Sequence, residues 1–139
     1  MDEEATTLQE RTKGFLPALL GIRFVSAAPD RVVAELTVRD ELCTVPGILH
    51  GGAVMALADT LGGAATSLNL APGAGTTTIE SKTNFFAPGL VGTTVTAECT
   101  PLHRGRQTMV WQTNVRNADG RLLAQVTQTQ FVIPPRPAA

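Results

Sequence analysis

The most informative segment of this chain is Gly47-Ile48-Leu49-His50-Gly51-Gly52-Ala53-Val54-Met55-Ala56-Leu57-Ala58-Asp59-Thr60. From about His50 to Asn69, apolar residues recur three or four positions apart, which predicts a helix with one apolar stripe. The stripe consists of Val54, Leu57, Leu61, Ala65 and Leu68. Internal glycines cost roughly 1 kcal/mol each in helix propensity, so we interpret those in this helix as points where another backbone or a ligand comes close. They are Gly51, Gly52, Gly62 and Gly63.

Short runs with a period of two on both sides of this helix predict strands. Before it, the sequence predicts an N-terminal helical segment (1–20) with a short helix in 5–20, a hairpin of strands 22–27 and 31–38, and a loop over 39–49. After it, strands are expected over 76–86, 91–103, 107–115 and 121–133, followed by a proline-rich tail over 134–139. The prediction is one α+β domain over residues 1–139, with an antiparallel sheet of about six strands curled around the central helix.

The bulk properties favour a soluble cytoplasmic protein. A net charge of -1 and a pI near 6.1 give no general attraction to nucleic acid or to an anionic membrane. The N-terminus Met1-Asp2-Glu3-Glu4 is acidic where a secretory signal would be basic, and no uninterrupted apolar stretch is long enough to span a membrane. Cys43 and Cys99 lack CxxC spacing and neighbouring histidines, so we expect reduced structural thiols, no metal and no cofactor.

Several familiar catalytic motifs are missing from the sequence. No serine lies in a Gly-x-Ser-x-Gly nucleophile elbow. The segment His50-Gly51-Gly52 has neither the spacing of a dinucleotide-binding fingerprint nor that of a phosphate-binding loop. A Cys43 and His50 dyad fits no motif, and a packed thiol explains Cys43 better.

What remains is a glycine turn at a helix N-terminus and one acid further along. Between Glu41 and Glu80 the only formally charged side chain is Asp59, which lies in an apolar helix where a buried carboxylate is costly. Free first-turn amides polarise a carbonyl oxygen, so the Gly51 amide is the candidate oxyanion donor. Asp59 lies roughly 12 Å further along the helix, so the two groups share one carbonyl only if a two-fold dimer brings Gly51 of one chain to Asp59 of the other.

Structural explanations for the same residues stay open at this point. Asp59 could bond a neighbouring hydroxyl such as Thr60, or pair with an arginine from a strand. His50 could serve as an N-terminal cap, which we favour over a role in proton transfer. For Gly51 and Gly52 the alternative is close backbone packing.

Leu49-His50-Gly51-Gly52-Ala53, followed by Leu57-Ala58-Asp59-Thr60, resembles the signature of the hotdog-fold acyl-CoA thioesterases of the PaaI and 4-hydroxybenzoyl-CoA thioesterase group. The segment 84–88 is similar to the strand that ends before a proline in that family. The resemblance implies a dimer, often doubled to a tetramer, with active sites at the subunit interface. It assigns Asp59 as nucleophile or general base, the Gly51 amide as the group that polarises the thioester carbonyl, and His50 as support for the loop or the thioester.

The chain departs from the family pattern at two positions. Thr44 stands where many relatives have Gln or Asn fifteen residues before the acid, and Gly63 stands where a hydroxyl is common. Thr78 on the following strand is a candidate to position water instead. Room beside Gly62 and Gly63 is expected to admit a bulky or aromatic acyl group, with Gly52 allowing close approach of the substrate.

The resemblance also implies a CoA moiety whose phosphates need cationic partners. Candidates are Lys82, Arg104 and Arg106, with ordinary solvated surface charge as the alternative for each. The expected function is hydrolysis of an aryl or medium-chain acyl-CoA to the free acid and CoA. One rival is a hotdog dehydratase or hydratase, which would need a histidine beside the acid; another is a non-catalytic acyl-CoA-binding module.

Overall fold

The structure is a computed structural model that describes residues 1–137. The helices are α1 (Glu3–Arg11), α2 (Leu16–Leu20) and α3 (Gly51–Ser67), and a 3-10 turn spans Asp40–Leu42. The strands are β1 (Arg23–Ala28), β2 (Arg31–Thr37), β3 (Cys43–Thr44), β4 (Ile48–Leu49), β5 (Gly75–Phe85), β6 (Thr94–Arg104), β7 (Thr108–Arg116) and β8 (Leu122–Ile133).

One antiparallel sheet wraps the central helix, as the sequence predicted. Its strand order is β1-β2-β6-β7-β8-β5, and β3 pairs with β4 in a separate short hairpin. The apolar stripe of α3 is buried against the inner face of this sheet, with Leu57, Leu61 and Ala65 fully excluded from solvent. The indole of Trp111 on β7 donates to the Thr66 hydroxyl at 2.8 Å, which ties the far end of the helix to the sheet. This arrangement confirms the α+β hotdog architecture.

The N-terminal segment differs from the single short helix expected within 5–20. The helix α1 begins earlier, at Glu3, because the Asp2 carboxylate caps it by accepting a hydrogen bond from the Ala5 N–H at 2.9 Å. The chain then turns through Gly14, whose φ of +79° favours glycine, before α2 begins. Pro17 lies in the first turn of α2, where a missing N–H costs little.

The expected loop over 39–49 and tail over 134–139 also need adjustment. The loop contains the 3-10 turn and the β3–β4 hairpin, whose strands are too short to show a period of two. Residues 134–137 follow β8 without regular structure, and 138–139 lie outside the described residues.

Side chains cover one edge strand of the six-stranded sheet, β1, and leave the other, β5, open. At β1, the Gln9 side chain donates to the Ile22 carbonyl at 3.1 Å and accepts from the Phe24 N–H at 2.9 Å, while Asp2 accepts from the Ala27 N–H. These side chains cover the β1 edge. Within residues 1–137, β5 pairs only with β8, so its outer edge stays open. An open edge of this length is a template for pairing with another strand.

The cysteines are free thiols in protected positions. Cys43 is half-buried, and its Sγ donates to the Arg39 carbonyl at 3.4 Å, consistent with the packed thiol that we favoured over a dyad with His50. Burial raises the pKa of Cys99 to about 12. Among residues 1–137, no helix has the length and apolar character needed to cross a lipid bilayer.

Candidate active site

The N-terminus of α3 presents one free backbone amide. The His50 side chain caps the helix, because its Nδ1 accepts a hydrogen bond from the Gly52 N–H at 2.7 Å. The N–H groups of Ala53 and Val54 both donate to the His50 carbonyl, at 2.9 and 3.2 Å. Within residues 1–137 the Gly51 N–H has no such acceptor. It therefore lies unpaired at the positive end of the helix dipole, where an oxyanion donor is needed.

Gly52 has a structural reason to be glycine. A Cβ added there would lie 2.9 Å from Nδ1 of the His50 ring, so a larger residue would displace the cap. Since its N–H is already bonded to that ring, Gly52 cannot offer it to a ligand at the same time. The structure therefore gives Gly52 a place in the helix cap, and close approach of a substrate to it stays a prediction.

A cavity of about 480 Å³ opens beside the free amide. Thr44 lines it together with Gly51, so the structure brings these two predicted residues to one place. The remaining wall is mostly apolar and comes from α3, β4, the segment 86–89 that follows β5, and the strands of the sheet. The Phe85 ring closes one side, and a Cβ added to Gly51 would lie 3.1 Å from its Cζ. The cavity thus has the character of a site for an apolar ligand with a carbonyl near the amide.

Asp59 is solvent-exposed in the single chain, contrary to the costly burial expected from its apolar neighbours in sequence. Its Oδ1 accepts a hydrogen bond of 2.6 Å from the Thr78 hydroxyl on β5. The partners expected from sequence were different. The Thr60 hydroxyl bonds the Ala56 carbonyl instead, and no arginine pairs with Asp59 among the described residues. The expectation failed because the apolar stripe of α3 turns inward, whereas Asp59 lies on the outer face of the helix.

A second cavity, of about 370 Å³, lies beside Asp59. Gly63 lines it, and a Cβ added there would meet no atom within 4 Å, which agrees with the expected room for an acyl group. The same expectation was wrong for Gly62. The Gln128 side chain occupies the space beside Gly62, since an added Cβ would overlap its amide group.

The two halves of the predicted site are separate within one chain. Gly51 and Asp59 line two different cavities, neither of which contains the other residue. They lie eight residues apart on the continuous helix α3, a separation of roughly 12 Å along its axis.

The basic candidates lie away from both cavities. Lys82 is exposed on the outer face of β5, where its Nζ donates to the Asn84 side chain at 2.7 Å. Arg104 and Arg106 line a third cavity, of about 560 Å³, near the end of α3. The Arg104 guanidinium donates to the Pro29 carbonyl at 3.4 Å. The structure therefore groups the two arginines with each other and separates them from Lys82.

Two sets of residues near Asp59 were not predicted from the sequence. The helix α1 contributes Leu8 and Arg11 to the Asp59 cavity, and Thr12, the residue that follows the helix, also lines it. Nothing in the irregular apolar spacing of this segment indicated these contacts. Gln130 donates to the Thr78 hydroxyl that bonds Asp59. A signal for the latter was present, because Gln128 and Gln130 continue the alternation of the buried residues Ala124 and Val126.

The cap at His50 leads to a stability prediction. We expect His50→Ala to lower the free energy of unfolding by about 1 kcal/mol, because the Gly52 N–H loses its acceptor. Asn at this position supplies a short acceptor of the kind preferred at N-caps, so His50→Asn should recover most of the loss. Denaturant unfolding of the three proteins measures this. Equal stability of His50→Ala and wild type would contradict the capping role.

Comparisons with known proteins agree with the fold and with this helix. The family model of the thioesterase superfamily matches residues 46–124, more than half of the chain. The proofreading thioesterase EntH of Klebsiella pneumoniae is 34% identical over 114 residues, which cover 82% of this chain and 82% of that protein. The matched region contains both the glycine turn and Asp59.

Solved structures give the same result. Thioesterase HI1161 from Haemophilus influenzae superposes with a TM-score of 0.88 at 31% identity, covering 93% of this chain and 90% of that chain. The protein smu.793 from Streptococcus mutans, solved bound to acetyl CoA, has a TM-score of 0.76 at 28% identity, with 84% and 91% coverage. The chain therefore belongs to the thioesterase superfamily and is a thioester hydrolase with the hotdog fold.

Proposed function

We propose that the protein hydrolyses acyl-CoA thioesters at sites formed between two copies of the chain. The observation that carries the proposal is the free Gly51 amide and the Asp59 carboxylate on one continuous helix, too far apart to act on one carbonyl carbon. Each group has its own cavity, so each behaves as half of a site. A partner chain supplies the missing half.

The surface of the chain favours a two-fold dimer. The β5 edge is open, whereas side chains cover the β1 edge. Ile79 and Phe85 on β5 are more than half exposed, and Met55 on the outer face of α3 is 40% exposed. Pairing two β5 edges antiparallel would join the sheets and lay the α3 helices side by side in opposite directions. Gly51 of one protomer then lies near Asp59 of the other, and a dimer of such dimers gives the tetramer that the resemblance implies.

The chemistry assigned to this site is thioester cleavage. The Gly51 N–H donates to the carbonyl oxygen and stabilises the negative charge that develops there. Asp59 either attacks the carbonyl carbon or removes a proton from an attacking water. Thr78 holds Oδ1, which leaves Oδ2 for this step. Thr44 lines the Gly51 cavity, and we assign its hydroxyl the task of bonding the thioester or the water.

We assign the substrate from the residues that would bind the CoA phosphates and from the cavity that would hold the acyl group. A ligand bound as acetyl CoA is in smu.793 would need cations for its phosphates, and we assign this role to Arg104 and Arg106, which line one cavity together. Lys82 faces the other side of the sheet and is the weaker candidate. The acyl group occupies the Asp59 cavity, whose volume of about 370 Å³ suits an aryl or medium-chain group.

Thiol release from a panel of acyl-CoAs tests the function and the acyl pocket together. We expect turnover of benzoyl-CoA and hexanoyl-CoA by the wild type. Gly63→Leu should lower kcat/KM for benzoyl-CoA by about 10-fold or more, because the new side chain projects into the cavity, while acetyl-CoA turnover changes little. Replacing a mid-helix glycine also favours the helix, so instability would not explain the loss.

Gly63→Ala is the matched control, since a single methyl group leaves most of the cavity open. A uniform loss across all acyl groups in Gly63→Leu would contradict the assignment of the pocket. Failure of the wild type to release thiol from any acyl-CoA would favour the binding-module alternative.

A further inference from the structure

Two glutamines on β8 are buried beneath the candidate catalytic acid. Gln128 is fully buried and Gln130 is 1% exposed, and both lie on the inner face of the sheet. A buried primary amide is tolerated only where its donors and acceptor are paired. The partners of these two amides lead directly to Asp59.

The hydrogen bonds form a closed circuit through α3, β8 and β5. The Gln128 Nε2 donates to the Ala58 carbonyl on α3 at 2.8 Å, and its Oε1 accepts from the Gln130 Nε2 at 2.6 Å. The Gln130 Nε2 also donates to the Thr78 Oγ1 at 2.6 Å. The Thr78 hydroxyl in turn donates to the Asp59 Oδ1 at 2.6 Å. The circuit begins at one residue of α3 and returns to the next.

The direction of every bond follows from the Ala58 carbonyl. A carbonyl oxygen only accepts, so Gln128 must point its NH₂ group toward it and its Oε1 toward Gln130. Gln130 must then turn its own NH₂ group toward Oε1 of Gln128 and toward Thr78. Its Oε1 accepts from the Thr76 hydroxyl at 2.9 Å. Because Thr78 already accepts from an amide, its hydrogen is directed at Asp59.

The sequence makes room for this circuit at Gly62. A Cβ at that position would overlap the terminal amide of Gln128, whereas the neighbouring Gly63 faces open space. The helix therefore gives up a residue of better propensity at Gly62 so that a glutamine side chain can pass close to its backbone.

We propose that Gln128 and Gln130 are positioning residues that fix the Thr78 hydroxyl as a donor to Oδ1 of Asp59 and so present Oδ2 as the reactive oxygen. The part that concerns catalysis rests on the proposed thioesterase function. A purely structural role would require only that the two amides satisfy each other in the core. We propose in addition that the orientation of the two amides is transmitted through the Thr78 hydroxyl to the Asp59 carboxylate. We call this series of hydrogen bonds the relay.

Gln130→Met tests this claim, because methionine fills the space of glutamine without its donors. We expect kcat to fall by about 10- to 100-fold, the loss that follows when the Thr78 hydroxyl is no longer held as a donor to the charged Asp59 carboxylate, while KM stays within about twofold. In a Thr78→Val background, the same substitution should lower kcat by less than about threefold, because the hydrogen bond from Thr78 to Asp59 is already absent. A loss that is equal in both backgrounds would overturn the proposal.

Gln125→Met is the matched control on the same strand. Gln125 also loses a side-chain hydrogen bond, to Asn114 at 2.9 Å, but it lies on the outer face of β8 and has no link to Asp59. We expect kcat to be unchanged in this variant. Unfolding measured alongside separates a loss of stability from a loss of positioning.

A readout independent of activity separates this proposal from the thioesterase function. In protein labelled with ¹³C at aspartate, the Asp59 side-chain carboxyl resonance should shift in Gln130→Met and stay in place in Gln125→Met. An unmoved resonance in Gln130→Met would overturn the relay even in an active thioesterase. A shifted resonance in a protein that hydrolyses no thioester would keep the relay and reject the proposed function.

Discussion

Asp59→Asn is expected to lower kcat/KM for acyl-CoA hydrolysis by about 1,000-fold, within the range of 100- to 10,000-fold that one acid–base group contributes. An amide can neither attack a thioester carbonyl nor remove a proton from water at neutral pH. The substitution leaves the shape of the side chain unchanged. The Asn Oδ1 can still accept the hydrogen bond from Thr78 that Oδ1 of Asp59 accepts at 2.6 Å.

The folded state should therefore be little affected, because Asp59 is exposed in the single chain and carries no ion pair among the described residues. Thiol release by the purified variant, with its unfolding curve, measures both effects. Asp30→Asn is the control: Asp30 is an exposed acid in the turn between β1 and β2, and its loss should leave turnover unchanged. Undiminished turnover in Asp59→Asn would end the catalytic assignment.

Local pattern was sufficient to predict the parts of the fold that depend on neighbouring residues. The stripe from Val54 to Leu68 predicted the central helix within two residues at either end, with His50 as its cap. The strands after it have the expected period, and each boundary lies within a few residues of its prediction. Each of these helices and strands buries one face in the core, so apolar residues recur in its sequence with the period of the helix or strand.

The surroundings of Asp59 could not be predicted in the same way. Its hydrogen bond joins residues 19 positions apart, and the bond from Gln130 to Thr78 joins residues 52 positions apart. Such pairs depend on the register between β5 and β8, which places Thr78 opposite Gln130. The wall that α1 builds beside Asp59 likewise depends on how that helix packs, and its own sequence does not specify this.

Gly51→Leu and Asp59→Asn together test whether each active site is shared between two chains. Gly51→Leu should lower turnover by about 100- to 1,000-fold, the loss that follows removal of one oxyanion donor. The new side chain would meet the Phe85 ring, since even its Cβ lies 3.1 Å from Cζ, and would cover the free amide. Each protein carrying Gly51→Leu or Asp59→Asn alone is therefore expected to be nearly inactive.

The two defects should complement each other when they lie on different chains. In a dimer of one Gly51→Leu chain and one Asp59→Asn chain, one of the two shared sites holds both substitutions and the other holds none. Such a dimer should regain about half of the wild-type activity. Two different affinity tags on the co-expressed chains allow this mixed dimer to be purified away from the parents.

The reciprocal pairing is the matched control. A dimer of one wild-type chain and one chain with both substitutions has a single defect in each shared site, so it should be nearly inactive. If each chain instead carried its own complete site, the wild-type chain in this dimer would work alone.

The activity of these two mixed dimers, measured side by side, tests most directly the claim that Gly51 of one chain acts with Asp59 of the other. A site shared between the chains should give about half of the wild-type turnover in the dimer with one substitution on each chain, and almost none in the dimer with both on one chain. The opposite result, an inactive first dimer and a half-active second, would contradict it.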